Sequence, residues 1–123
     1  MKNAVELEQI SLRGSHLNLA ADAAGPVDAP TLLFLHGSGQ TRQSWSSALD
    51  EAIQRGYRAV SVDLRGHGDS EWSPDGEYTL DKFAADIRYV IDQLDDEPIV
   101  IGASLGGLIG MMIAAAPPPR LRA

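Results

Sequence analysis

Apolar positions along this chain follow two rhythms in alternation, short strand-like runs and longer helical stripes, which predicts a sheet with helices packed against it. The run Val5–Leu12 alternates loosely through Val5, Leu7 and Ile10, and in His16–Ala20 Leu17 and Leu19 share one face. Gly14 and Ser15 between them suit a turn, so the two runs read as a hairpin. Ala21–Pro30 carries Gly25, Pro26 and Pro30 and reads as a loop. Thr31–Leu35 is continuously apolar, as a central strand covered on both faces would be, and Tyr57–Leu64 and Pro98–Ile101 are further strands of this type.

Three helices fall between and after these strands. Arg42–Arg55 has a stripe of Trp45, Leu49, Ala52 and Ile53, with Gly56 placed to cap it. Thr79 can cap a second helix, Asp81 complements its positive end, and Leu80, Phe83, Ala84, Ile87, Val90, Ile91 and Leu94 line one face. A third begins at Leu105, is apolar on every side and is expected to be buried, with Pro117, Pro118 and Pro119 ending it. Arg65–Gly76 is a polar, glycine-rich loop containing Pro74, and there is no internal repeat.

Composition narrows the class. The 123 residues amount to one domain at most, and 44% hydrophobic with 22% charged residues is ordinary for a globular chain. A net charge of −7 speaks against nucleic acid, which needs a basic face. With no cysteine there are no disulfides, thiolate nucleophiles or cysteine–metal sites, and no metal or cofactor is implied. The polar start, Met1–Gln9, lacks the apolar core of a signal peptide, and Leu105–Ala116 falls short of the ~20 residues needed to span a bilayer. A soluble cytoplasmic protein is the expectation.

The candidate chemistry sits where the last strand meets the last helix. Gly102-Ala103-Ser104-Leu105-Gly106 fits the pattern G-x-S-x-G, in which a serine is carried on a turn so tight that glycine is needed two residues to either side. Ser104 would project its hydroxyl from the carboxyl edge of the sheet, and the helix starting at Leu105 would aim its amides at an oxyanion formed there. An inert serine on a glycine-lined turn is the plainer reading of the pentapeptide alone, and Gly107 and Gly110 support part of it, since they suit close packing of the helix on the sheet.

Three motifs in order carry a resemblance. His36-Gly37-Ser38-Gly39, Asp63-Leu64-Arg65-Gly66-His67-Gly68-Asp69-Ser70 and Gly102–Gly107 resemble the α/β-hydrolase superfamily, most closely its esterase, perhydrolase and lactonase branch. The resemblance implies an α/β fold whose mostly parallel sheet has strand order 1-2-4-3-5. It implies Ser104 as nucleophile, the amides of Leu105 and Ser38 as oxyanion hole, and Gly37, Gly102 and Gly106 as supports. His36 is implied to shape the oxyanion turn and His67 to brace it, with Asp63 and Asp69 available to pair with Arg65. His16, in the hairpin, is expected on the surface and far from the strand ends that build a site. Trp45 and Trp72 are expected in core or lid contacts, Trp72 having the better claim on substrate. Dehalogenases and epoxide hydrolases of the superfamily use aspartate at the position of Ser104, which disfavours their chemistry, whereas perhydrolase and carbon–carbon hydrolase activities share the serine triad.

The triad order in this superfamily is Ser, then Asp or Glu, then His. No His, Asp or Glu follows Ser104 in the sequence. The resemblance therefore implies that residues 1–123 are the N-terminal half of one hydrolase domain, with the acid and base supplied by a C-terminal segment or second chain. Pro98–Ile101 would then be an edge strand awaiting its neighbour. The expected function is hydrolysis of small carboxylic esters or lactones; a non-catalytic binding or scaffold protein, or an inert truncated fragment, is the alternative.

Overall fold

The computed structural model describes residues 7–116. Five strands and three α-helices follow one another as β1 (Glu8–Arg13), β2 (Asn18–Ala24), β3 (Thr31–Leu35), α1 (Ser46–Gln54), β4 (Arg58–Val62), α2 (Leu80–Gln93), β5 (Ile99–Gly102) and α3 (Leu105–Ala115), with a 3-10 turn at Arg42–Trp45 leading into α1. The sheet order is β1-β2-β4-β3-β5. The sheet is mixed: β1 with β2 and β2 with β4 are antiparallel, while β3 lies parallel to β4 and to β5. Val5 and the prolines at 117–119 lie outside the described residues.

Strand alternation sorts the core into two layers. Leu33 and Leu35 of β3, with Val60 and Val62 of β4, face Ile87 and Ile91 of α2 and Ile109 and Ile113 of α3. Phe34 and Ala59 point to the opposite face and meet Leu49 and Ala52 of α1. Chain leaving β3 thus passes to one face, and chain leaving β5 passes to the other. These strands are neighbours, so their carboxyl ends diverge and open a crevice, the usual binding position in sheets of this kind.

Local chemistry sets the helix ends. The Thr79 side chain accepts from the Lys82 amide at 3.3 Å, with Asp81 in the first turn of α2. After α1, Gly56 has φ 89° and the Tyr57 amide returns to the Ala52 carbonyl at 3.0 Å, a glycine-dependent helix stop.

Two expectations need correction. Ala21–Ala24 is strand rather than loop, because this stretch pairs on both sides, with β1 and with β4, and small alanines fit the buried position between them. And α3 is covered on one side only. Ile109 and Ile113 are fully buried, yet Leu108 and Met111 are exposed, since α2 flanks α3 and β5 ends the sheet. Among the described residues no helix is long and apolar enough to cross a membrane.

Candidate active site

The bend between β5 and α3 has only Ala103 and Ser104 to complete it. Ser104 takes φ 55° and ψ −114°, a sparsely populated conformation for a residue with a side chain, at a cost of about 1–3 kcal/mol. Main-chain contacts impose it. Ala103 donates to the Leu35 carbonyl at 3.1 Å, and Gly106 donates toward the carbonyls of His36 and Ala103 at 3.2 and 3.0 Å. A Cβ on Gly102 would stand 2.3 Å from the Gly106 oxygen, and one on Gly106 would stand 2.1 Å from the Leu35 oxygen. Only glycine fits either place. Gly107 and Gly110 are under no such pressure, their nearest Cβ contacts being 3.5 and 3.8 Å. Ser104 itself is exposed.

Opposite lies the turn after β3. The Gln40 amide donates to the Gly37 carbonyl at 3.1 Å, and the Gln40 side chain accepts from the Gly37 amide at 3.0 Å. A Cβ on Gly37 would lie 3.4 Å from the Cβ of Ser104, so turn and serine face each other. Two histidines hold the turn from beneath. His36, fully buried, meets the Gly37 carbonyl with Nδ1 at 2.7 Å, and its Nε2 accepts from the Leu64 amide at 3.0 Å. His67 meets the Arg65 carbonyl with Nδ1 at 2.9 Å, and its Nε2 accepts from the Gly39 amide at 3.0 Å. These partners set a carbonyl at each Nδ1 and an amide at each Nε2, so both nitrogens of each ring are occupied. Burial is the main cause holding the His36 pKa below the usual histidine value. Between turn and helix, the amides of Ser38 and Leu105 donate to no acceptor among the described residues.

Ion pairs built on two buried arginines fasten the surrounding loops. Asp63 and Asp69 pair with Arg42, not with Arg65, and Asp22 joins them from β2 at 3.0 Å. Arg65 instead grips Asp86 of α2 through Nε at 2.6 Å and Nη2 at 2.7 Å, with both side chains 2% exposed. Hydrogen bonding to Asp86 raises the Arg65 pKa above its ordinary value. Two signals for these partners were present in the sequence. Arg42 continues the apolar stripe of Trp45, Leu49 and Ala52, and Asp86 interrupts the stripe of Phe83, Ile87 and Val90. A charge on a buried face needs a buried partner.

A cavity of about 550 Å³ opens beside the bend, lined by Ser38, Leu105, His67, Trp72, Tyr78 and Phe83 among others. The family profile describing the alpha/beta hydrolase fold matches residues 30–123. The chain belongs to the α/β-hydrolase family. Over 123 positions it is 37% identical to the esterase Rv0045c of Mycobacterium tuberculosis, covering 94% of this chain and 40% of that protein. It is 36% identical to mouse epoxide hydrolase 4 over 111 positions, 89% of this chain and 31% of the relative. The crystal structure of epoxide hydrolase VrEH1 from Vigna radiata superposes with a TM-score of 0.88 at 29% identity, covering 96% of this chain and 38% of that one. The chain thus spans well under half the length of these relatives.

Within this α/β-hydrolase framework, the predicted residues Ser104, Leu105, Ser38, His36 and Gly37 gather at the carboxyl ends of β3 and β5. His16 is exposed, as expected, but its turn is not remote. Because β2 runs antiparallel to β4, the hairpin turn lies on the same edge as the loop after β4, and His16, Ser73 and Pro74 line a common hollow of about 100 Å³. Trp45 packs on Phe34 with ring centroids 5.1 Å apart, away from the cavity, whereas Trp72 is 74% exposed at its rim.

Proposed function

We propose that this chain carries the nucleophile half of a serine hydrolase acting on carboxylic esters or lactones. Ser104 Oγ attacks the carbonyl carbon, the Leu105 and Ser38 amides receive the negative charge that develops on its oxygen, and the alkoxide leaves as alcohol. Water then attacks the acyl-enzyme, releasing acid and restoring the hydroxyl. The proton leaving Ser104 passes to a histidine oriented by Asp or Glu, both from a segment outside residues 1–123. Neither His36 nor His67 takes that role in this reading, because each ring already has both nitrogens engaged.

The observation that carries the proposal is the conformation of Ser104, exposed at φ 55° directly before the open first-turn amides of α3. A serine here, where the superfamily's epoxide hydrolases are expected to carry aspartate, favours esters over epoxides as substrate. A fluorophosphonate probe on the complete protein provides the test. One equivalent of label on Ser104, none on Ser104→Ala, and an ester kcat/KM lower by on the order of 10⁴-fold in that variant are expected. A folded protein that takes no label at Ser104 overturns the reading and favours a binding role.

A further inference from the structure

The cavity beside Ser104 has a chemistry of its own. Much of its lining is aromatic: Phe83 is buried, Tyr78 lies 6.3 Å from it between ring centroids, and Trp72 stands 74% exposed. Trp72 adds a large apolar surface from a polar loop to the lining of this cavity. Gly66 is what lets Tyr78 lie there, since a Cβ at that position would come within 2.6 Å of the ring. The Tyr78 hydroxyl accepts from the Ser73 amide at 2.9 Å, which ties the ring to the loop that carries Trp72.

Charge is spent before it reaches this space. The one cation in the lining among the described residues, Arg65, gives Nε and Nη2 to Asp86, Nη1 to the Glu77 carbonyl at 2.9 Å and a further contact to the Ser15 carbonyl at 3.2 Å. No carboxylate lines the cavity among the described residues. An anionic substrate group would find no free counter-charge and would approach a chain of net charge −7. A flat, uncharged ring would find an edge and a face to pack on.

We propose that Trp72 and Tyr78 form a specificity-determining subsite for an uncharged aryl group of the substrate, resting on the serine-hydrolase reading above. The volume, about 550 Å³, is that of sites for small organic ligands. Trp72 supplies the outer wall and Tyr78 the inner one, and the scissile carbonyl reaches Ser104 past Leu105 and Ser38.

The test uses the complete protein with benzyl acetate and methyl phenylacetate, which place the ring on the alcohol and acyl sides, each against ethyl acetate. Trp72→Ala is expected to lower the aryl-to-ethyl ratio of kcat/KM by roughly two- to tenfold, chiefly through KM, for at least one aryl ester. Trp72→Phe should recover part of it. Direct binding gives a second readout. Benzyl alcohol should quench a component of tryptophan fluorescence that is absent from Trp72→Phe. Unchanged ratios overturn the subsite, and so does the absence of Trp72-dependent quenching. Ratios unchanged while fluorophosphonate still labels Ser104 sink the subsite alone; loss of Ser104 labelling with Trp72-dependent quenching intact sinks the hydrolase reading and leaves an aryl-binding site.

Discussion

Removing the Asp86 carboxylate is expected to destabilise the fold strongly. Asp86 accepts from Arg65 Nε and Nη2 and from the Ser15 amide at 2.8 Å, so one carboxylate ties α2 to the β4 loop and to the hairpin turn. In Asp86→Ala the Arg65 guanidinium keeps its contacts to the Glu77 and Ser15 carbonyls but loses its counter-ion at a site 2% exposed. Breaking one side of such a pair costs about 3–5 kcal/mol, and the stranded Ser15 amide belongs within that figure. Urea melts followed by far-UV circular dichroism read this directly. With a slope of about 2 kcal/mol per M, the midpoint should fall by roughly 2 M. The companion variant Arg65→Met/Asp86→Leu removes both charges and should recover most of the loss, because the penalty comes from an unpaired buried charge. An Asp86→Ala variant within 1 kcal/mol of wild type, or a double variant at the sum of the two single losses, refutes the reasoning.

Two further outcomes follow from the bend and its braces. Gly106→Ala should lose about 2–3 kcal/mol or more in the same melts, since the new methyl meets the Leu35 main chain at 2.1 Å and outweighs the roughly 1 kcal/mol that alanine gains in a helix; an unchanged or raised midpoint would contradict this. His36 is held neutral in the folded state, so below its ordinary pKa of 6.5 the unfolded chain binds a proton that the folded chain refuses. Stability should therefore fall as pH drops below 6.5, by at most about 1.4 kcal/mol per pH unit, and level off once the lowered folded pKa is passed. Comparing melts of wild type and His36→Asn between pH 5.5 and 7.5 isolates this slope, which should be shallower in the variant.

What could be read from the sequence divides along physical lines. β3 is legible to the residue because Thr31–Leu35 is apolar without a break, and the periodic face of α2 announces itself over three turns. The latter half of β2 is not, because Ala21 and Ala23 carry little hydrophobic signal and Asp22 reads as a turn residue. What makes that stretch a strand is pairing with β1 and β4 and the ion pair from Asp22 to Arg42, none of it local. The candidate site was legible in its spacing, since glycines at 102 and 106 report a steric demand that any backbone making this bend must meet. Its braces are not legible, for a related reason. Asp63 and Arg65 are neighbours in sequence, yet each takes a partner 21 positions away, brought close only when the sheet and α2 assemble. The apolarity of α3 told what the helix would accept as cover, not how much cover the described residues provide.

The bend at Ser104 is held by backbone against backbone, Gly102 on Gly106 and Gly106 on the end of β3. Nothing in that fastening consults the side chains of residues 103 and 105, although Leu105 forms part of the cavity wall. The serine oxygen's posture is thus set independently of the side chains that line the cavity. Exchanging Leu105 or the rim at Trp72 remodels the reception without disturbing the post, and that independence is how one hinge of glycines can serve many tenants.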